Sequence, residues 1–227
     1  MYNEHPVELG LKNRDAEILA RFSEQPGDVE RFRAAFPEEQ PAVTMSQVVR
    51  AIASFERVLL SGSSAFDRYL YQDDRSGMPA AALRGSALFF SDQLGCSQCH
   101  GSFNLSGPVK YEGSPTAPMA FHNNGLFSLD LGLFVQTQRK DDMGRFRAPT
   151  LRNISVTAPY MHDGSLPTLE AVVDHYAIGG HPGPSGNATI RGFQISQQEK
   201  DDVIAFLGSL TDEAFLADPA FGDPHIK

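Results

Sequence analysis

The pentapeptide Cys96-Ser97-Gln98-Cys99-His100 constrains this chain more than any other feature, because it contains the only two cysteines in 227 residues. Two cysteines separated by two residues serve a disulfide, a redox dithiol, half of a zinc site or a haem anchor. The next residue decides. A thioredoxin-type dithiol sits beside a βαβ pattern, which is not visible here, and a zinc site needs a second Cys or His pair at short spacing. A histidine directly after the second cysteine points to c-type haem: both thiols add to the porphyrin vinyl groups while the adjacent imidazole reaches the iron from one face. Anchor and proximal ligand then come from a single short segment, and the rest of the chain must wrap a large flat cofactor.

The remaining sequence is compatible with that task. At 41% hydrophobic residues the chain can form one sizeable core, or two small lobes sharing a haem. Nineteen basic against 28 acidic residues give a net charge of -9 with no block of like charges, which argues against nucleic acid as a partner. No apolar run approaches the ~18 residues of a membrane span. The start, MYNEHPVELG, has neither the basic nor the apolar region of a secretory signal. Haem c is attached outside the cytoplasm, so the chain reads as a processed piece or a gene that starts late.

Helical periodicity dominates and strand alternation is almost absent. Helical faces are expected at Asp15 to Phe22, at Val29 to Phe36, and from the N-cap Thr44 to about Leu60, where Val48, Val49, Ile52, Phe55, Val58 and Leu59 form one stripe. Pro79, as a first helical residue, precedes a segment through Phe90 that leads into the haem anchor. Residues 101–165, rich in Gly, Pro, Asn and Ser, read as an extended loop wrapping the cofactor. Thr168 caps a helix through Tyr176 that ends at Gly179-Gly180, and Ser196 with Glu199 forms a capping box for the last amphipathic helix. The expected architecture is mostly α with long haem-wrapping loops.

His100 leaves the second face of the iron to another residue. Spacing alone leaves Tyr176, Met161, Met143, His162, His175 and His122 open. Arg147 and Arg152 suit bidentate pairing with haem propionates, or equally ordinary salt bridges. His122 and Asn123 fit either a place in the pocket lining or a loop cap.

The string FRAPTLRNISVTAPYMHDGSLPTLEAVVDHYAIGG, residues 146–180, resembles the C-terminal haem domain of bacterial di-haem cytochrome c peroxidases and MauG-type enzymes. HPVELGL (5–11), AIASFERVLLSGSSAFDRYL (51–70), CSQCHG (96–101), FHNNGLFSLD (121–130) and FLGSLTDEAFLADP (206–219) extend the likeness over nearly the whole chain. It looks most like the MbnH-type branch, associated with methanobactin gene clusters, which oxidises a tryptophan on a partner protein. The resemblance implies a periplasmic oxidoreductase using hydrogen peroxide and a protein electron donor or protein substrate. It also implies a cytochrome c-like haem domain at 76–227, preceded at 1–75 by a remnant of an N-terminal lobe and inter-lobe helices. A second CxxCH, for the peroxide-binding haem, belongs before the point where this chain begins.

Residue roles follow from the same resemblance. Glu8 matches the glutamate facing the distal side of that second haem, an acid-base group for O–O cleavage. Tyr176 stands at the distal-ligand position, which is methionine in ordinary peroxidases and tyrosine in MauG-type enzymes. Met161 and His162 belong to a PYMHDG loop near the haem that does not ligate it. Thr157 and Pro159 match positions whose carbonyls bind calcium, an ion that takes six or more oxygen ligands. A thioether raises the iron potential, whereas a hard anionic phenolate favours ferric and higher states, so Tyr176 suits oxidising chemistry. The chain has no tryptophan, so a relay between haems would use tyrosines or direct tunnelling. The competing readings are a non-enzymatic mono-haem electron-transfer protein and a gene remnant that never receives haem.

Overall fold

The computed structural model describes residues 13–41, 43–107, 120–126, 130–181 and 190–223. They fall into two compact units, one within Met1–Leu60 and one within Ser61–Lys227. In the first, α1 (Asp15–Ser23) and α2 (Pro26–Ala35) form a hairpin, with Pro26 opening α2 where a missing N–H costs nothing. Phe22 meets Phe32 edge-on at 5.4 Å, and Phe32 stacks on Phe36. The third helix, α3 (Met45–Val58), starts as expected at Thr44, whose hydroxyl accepts from Gln47 N at 3.2 Å.

The second unit contains α4 (Ala65–Tyr71), α5 (Ala80–Phe89), α6 (Phe134–Thr137), α7 (Leu169–Ala177), α8 (Gln197–Gly208) and α9 (Glu213–Leu216). Residues 61–75 lie with this unit, whereas the sequence-based division fell at 75/76. The cause is α4: Phe66 enters the core, and Asp67 pairs with Arg152 far along the chain. Pro79 is the N-cap of α5 and not its first helical residue, a shift of one position from the expectation. Thr168 caps α7 and the Ser196/Glu199 box caps α8, both as read from sequence.

The core is built where α5 packs along α8. Gly85 makes this approach possible, since a Cβ there would stand 1.8 Å from the Asp202 carbonyl oxygen. Arg84 then clips the pair through two 2.7 Å hydrogen bonds to Asp202. Phe66 and Phe89 each reach Phe206 at 5.1 Å, and Leu105, Tyr160, Leu169, Val173, Val203 and Leu210 complete the cluster. Cys96 and Leu151 pack against its edge, so the anchor segment is held by the core itself. The long connection between α5 and α7 carries more structure than expected, including α6 and two short antiparallel strands. These are β1 (Phe121–His122) and β2 (Phe146–Arg147), with Phe121 opposite Arg147 and His122 opposite Phe146. The architecture is mostly α, as expected. Among the described residues no helix is long and apolar enough to cross a membrane.

Candidate haem site

Cys96, Ser97 and Gln98 form a single 3-10 turn entered through Gly95, whose φ of 64° lies in the left-handed region. That turn brings both cysteines and His100 together. His100 Nδ1 is 3.2 Å from the Leu105 carbonyl and 3.1 Å from the Pro149 carbonyl. Carbonyls only accept, so Nδ1 carries the proton and Nε2 keeps its lone pair, the tautomer a metal ligand requires. Burial lowers the His100 pKa, against the two carbonyl hydrogen bonds that raise it, and so favours the neutral, ligating imidazole.

Both cysteines are free thiols, which removes the disulfide reading. Burial pushes the Cys96 thiol up to about 11 and raises Cys99 as well. Reactive dithiols have depressed values, so the redox-dithiol reading does not fit. Among the described residues no three His, Cys, Asp or Glu side chains are arranged to hold one metal ion between them. What remains is a pair of neutral thiols two residues apart with an oriented imidazole beside them, and this donor set fits haem c.

α7 delivers Tyr176 to the same place. Its hydroxyl lies within electrostatic range of the Cys96 and Cys99 thiols. Burial raises the phenol above its ordinary value, the Asn124 bond opposes that shift, and the thiols add to it. Met161 is close by, its Sδ 3.5 Å from Asn124 Nδ2. The other ligand candidates are engaged elsewhere or lack such a position. His175 Nε2 meets the Asn124 carbonyl at 2.8 Å, and the exposed His162 ring stacks on Phe146 at 3.7 Å. His122 on β1 is close enough to His100 to lower its pKa, and is itself lowered by burial and by Arg145. Met143 lies in the turn before β2.

Arg152 is committed to a buried pair. Its Nη1 and Nη2 donate to Asp67 at 2.7 and 2.8 Å, Nη2 also donates to the Phe103 carbonyl at 2.7 Å, and the guanidinium lies 4.2 Å over the Phe103 ring. Its Nε has no hydrogen-bond partner among the described residues. Arg147 is exposed on β2. Thr157 and Pro159 are exposed beyond the 3-10 turn Ile154–Val156, and Thr157 Oγ1 donates to the Ile154 carbonyl. Asn123 is buried and accepts from Gly125 N at 2.9 Å. Glu8 lies outside the described residues. The sequence reading passed over Asn124, whose side chain meets Met161 Sδ. Its only signal is its place beside Gly125 in FHNNGL.

A family model described as di-haem cytochrome c peroxidase matches residues 2–75, and a RoxA-like, cytochrome c-like model matches residues 145–177. The methylamine utilization protein MauG of Methylorubrum extorquens is 36% identical over 199 residues, covering 86% of this chain and 52% of that protein. Cytochrome c551 peroxidase of Pseudomonas aeruginosa is 35% identical over 187 residues, covering 82% of this chain and 49% of the relative. The chain thus spans about half the length of the curated relatives it matches. A solved MauG-like protein associated with microbial copper homeostasis superposes with a TM-score of 0.88 at 37% identity, covering 98% of this chain and 69% of that one. The chain belongs to the di-haem cytochrome c peroxidase and MauG family, whose cofactor is haem c.

Proposed function

We propose that this chain provides one haem of a two-haem, peroxide-dependent oxidoreductase of the MbnH-type branch, acting on a partner protein in the bacterial periplasm. The observation that carries the reading is the 3-10 turn that holds Cys96 and Cys99, with the His100 imidazole fixed beside it by two backbone carbonyls and the Tyr176 phenol within electrostatic range of both thiols. Haem c, when bound, supplies one-electron redox chemistry. Cys96 and Cys99 would anchor it, and His100 Nε2 and the Tyr176 oxygen would be the side-chain atoms that hold its iron. The Leu105 and Pro149 carbonyls keep the imidazole in register. Holding it, His100 and Tyr176 would keep water and peroxide away from the group and suit it to storing an oxidising equivalent.

The family description implies a second haem, which would supply the peroxide chemistry, and Glu8 would serve it as an acid-base group. Arg147 pairs with a propionate, and the Thr157 and Pro159 carbonyls belong to a calcium site. The structural relative's association with copper homeostasis supports the MbnH-type assignment and, with it, tryptophan on a partner protein as the substrate.

Turnover of hydrogen peroxide with a reductant tests this division of labour. The haem-loaded 227-residue chain is expected to turn over about a hundredfold or more slowly than an enzyme carrying both haems, since general acid–base catalysis at the second haem alone is worth about 10²-fold or more. Rapid, saturable turnover by the 227-residue chain would make its own iron the peroxide site and remove Tyr176 from it.

A further inference from the structure

His100 is held from two segments that lie far apart in sequence. Its Nδ1 is 3.2 Å from the Leu105 carbonyl and 3.1 Å from the Pro149 carbonyl, so one N–H is shared between residues 101–106 and residues 148–152. The first segment is a tight loop closed by a bridge between Gly101 and Ser106, and within it Ser102 and Leu105 take φ of 60° and 48°. Neither is glycine. A left-handed conformation at a buried leucine persists only where the surroundings over-determine it, as they do at functional sites. Here its result is a carbonyl that meets the imidazole.

The two segments are seamed together beside that contact. Thr150 Oγ1 donates to the Asn104 carbonyl at 2.5 Å, Leu151 N to the Leu105 carbonyl at 3.2 Å, and Arg152 Nη2 to the Phe103 carbonyl at 2.7 Å. The Arg152 guanidinium also covers the Phe103 ring at 4.2 Å, and Arg152 N donates to Thr150 Oγ1 at 3.2 Å. Arg152 carries the seam on to a third element. Its Nη1 and Nη2 donate to Asp67 on α4 at 2.7 and 2.8 Å, and Asp67 is fixed in turn by Ser64 N and Oγ. A guanidinium presents its donors in a rigid planar fork, so this one side chain binds a carboxylate and a loop carbonyl at the same time.

We propose that Arg152 is a positioning residue for His100: braced on Asp67, it locks the 101–106 loop against residues 148–152 so that the Leu105 and Pro149 carbonyls share the His100 Nδ1 proton. This rests on the reading of His100 as an iron ligand. An acceptor on the second ring nitrogen fixes the tautomer and orientation of a ligating imidazole and raises its donor strength. A stronger donor favours ferric over ferrous iron, one of the ways a protein tunes a haem potential. With the brace loosened, the two carbonyls are no longer held at one spacing, and the ring loses its register. The imidazole becomes a weaker and less uniform donor.

The test uses the haem-loaded chain and reads the potential by titration together with the width of the ferric electron paramagnetic resonance lines, which broaden when a ligand takes a spread of orientations. Arg152→Lys keeps a cation for Asp67, and so avoids an uncompensated buried carboxylate, but replaces the fork by a point charge. It is expected to broaden the lines and to shift the ferric–ferrous equilibrium about tenfold toward ferrous, about 59 mV for one electron; tenfold is the low end of what losing such a supporting partner does at a metal ligand. Thr150→Val removes the bond to Asn104 at an exposed residue without touching the ion pair, is expected to move both readouts in the same direction, and decides the matter in the same way if the lysine variant does not fold. Arg84→Gln, which breaks the clip to Asp202, is the control: it is expected to lower the urea midpoint and to leave both readouts at the parent's values. A folded, haem-loaded Arg152→Lys chain with the parent's potential and line width would overturn the proposal, as would an equal shift in Arg84→Gln. Its failure is separable from that of the ligand reading. A His100→Ala variant with the parent's signature sinks both, whereas an unchanged Arg152→Lys chain alongside a His100-ligated parent sinks the positioning role alone.

Discussion

Replacing Cys96 and Cys99 together by serine yields a chain that retains no haem after denaturation. The hydroxyls cannot form thioether bonds to the vinyl groups, so the cofactor would be held by axial ligation and pocket contacts alone. Those are lost when the core unfolds. Denaturing gels stained for haem peroxidase activity check it: full staining in the parent, weaker staining in each single variant where one thioether survives, none in the double variant. Full retention in the double variant contradicts covalent attachment and with it the whole description of the site. The effect extends to the fold, because Cys96 packs against the core edge and the buried Leu105 supplies a carbonyl to His100.

The second large effect comes from the buried pair of Arg152 and Asp67. Arg152→Ala is expected to cost about 3–5 kcal/mol in unfolding free energy, because it leaves a buried carboxylate uncompensated. The side chains of Arg152 and Asp67 are 7% and 1% exposed, and Asp67 accepts two further bonds, from Ser64 N at 3.0 Å and Ser64 Oγ at 2.6 Å. The pair also supports the site. Arg152 follows the segment in which Pro149 offers its carbonyl to His100 and Leu151 N donates to the Leu105 carbonyl.

The pH dependence has a defined sign. Burial raises the Asp67 pKa, but the bonds from Arg152 and Ser64 outweigh it and hold the carboxyl below its ordinary value. A folded-state value below the unfolded one gives stability that is present above the ordinary carboxylate range and is lost as pH falls through the folded value. Urea midpoints measured down that range are expected to fall in the parent, and to fall less in Asp67→Asn, which has no such charge to lose. Parallel decline in both would show that Asp67 does not contribute this acid sensitivity.

Legibility from sequence follows how local each interaction is. The haem anchor is a pentapeptide whose chemistry is complete within itself, and the caps at Thr44, Thr168 and Ser196 bond only three residues ahead. All were readable without any knowledge of the fold. Helix α4 was not, although Ser64 and Asp67 form a capping box, because seven residues carry too little period to stand out. Its stability comes from Arg152, 85 residues away. The same separation hides Arg152, whose sequence suits a propionate or a surface pair and gives no sign of Asp67. Asn124 depends on a turn that meets Met161, 37 residues on, so no window of sequence contains the interaction. Six candidates for the second axial position stood open by spacing. The structure engages His175 with the Asn124 carbonyl and His162 with the Phe146 ring.

The most direct measurement is electron paramagnetic resonance with potentiometry on the ferric, haem-loaded chain and two variants at position 176. Tyr176→Phe is expected to open a coordination position and move the iron toward high spin. Tyr176→Met is expected to raise the potential by at least about 59 mV, a tenfold shift for one electron, as methionine does in cytochromes c. Variants indistinguishable from the parent in both spin state and potential would show that Tyr176 is not a ligand, and the account of this haem would not stand.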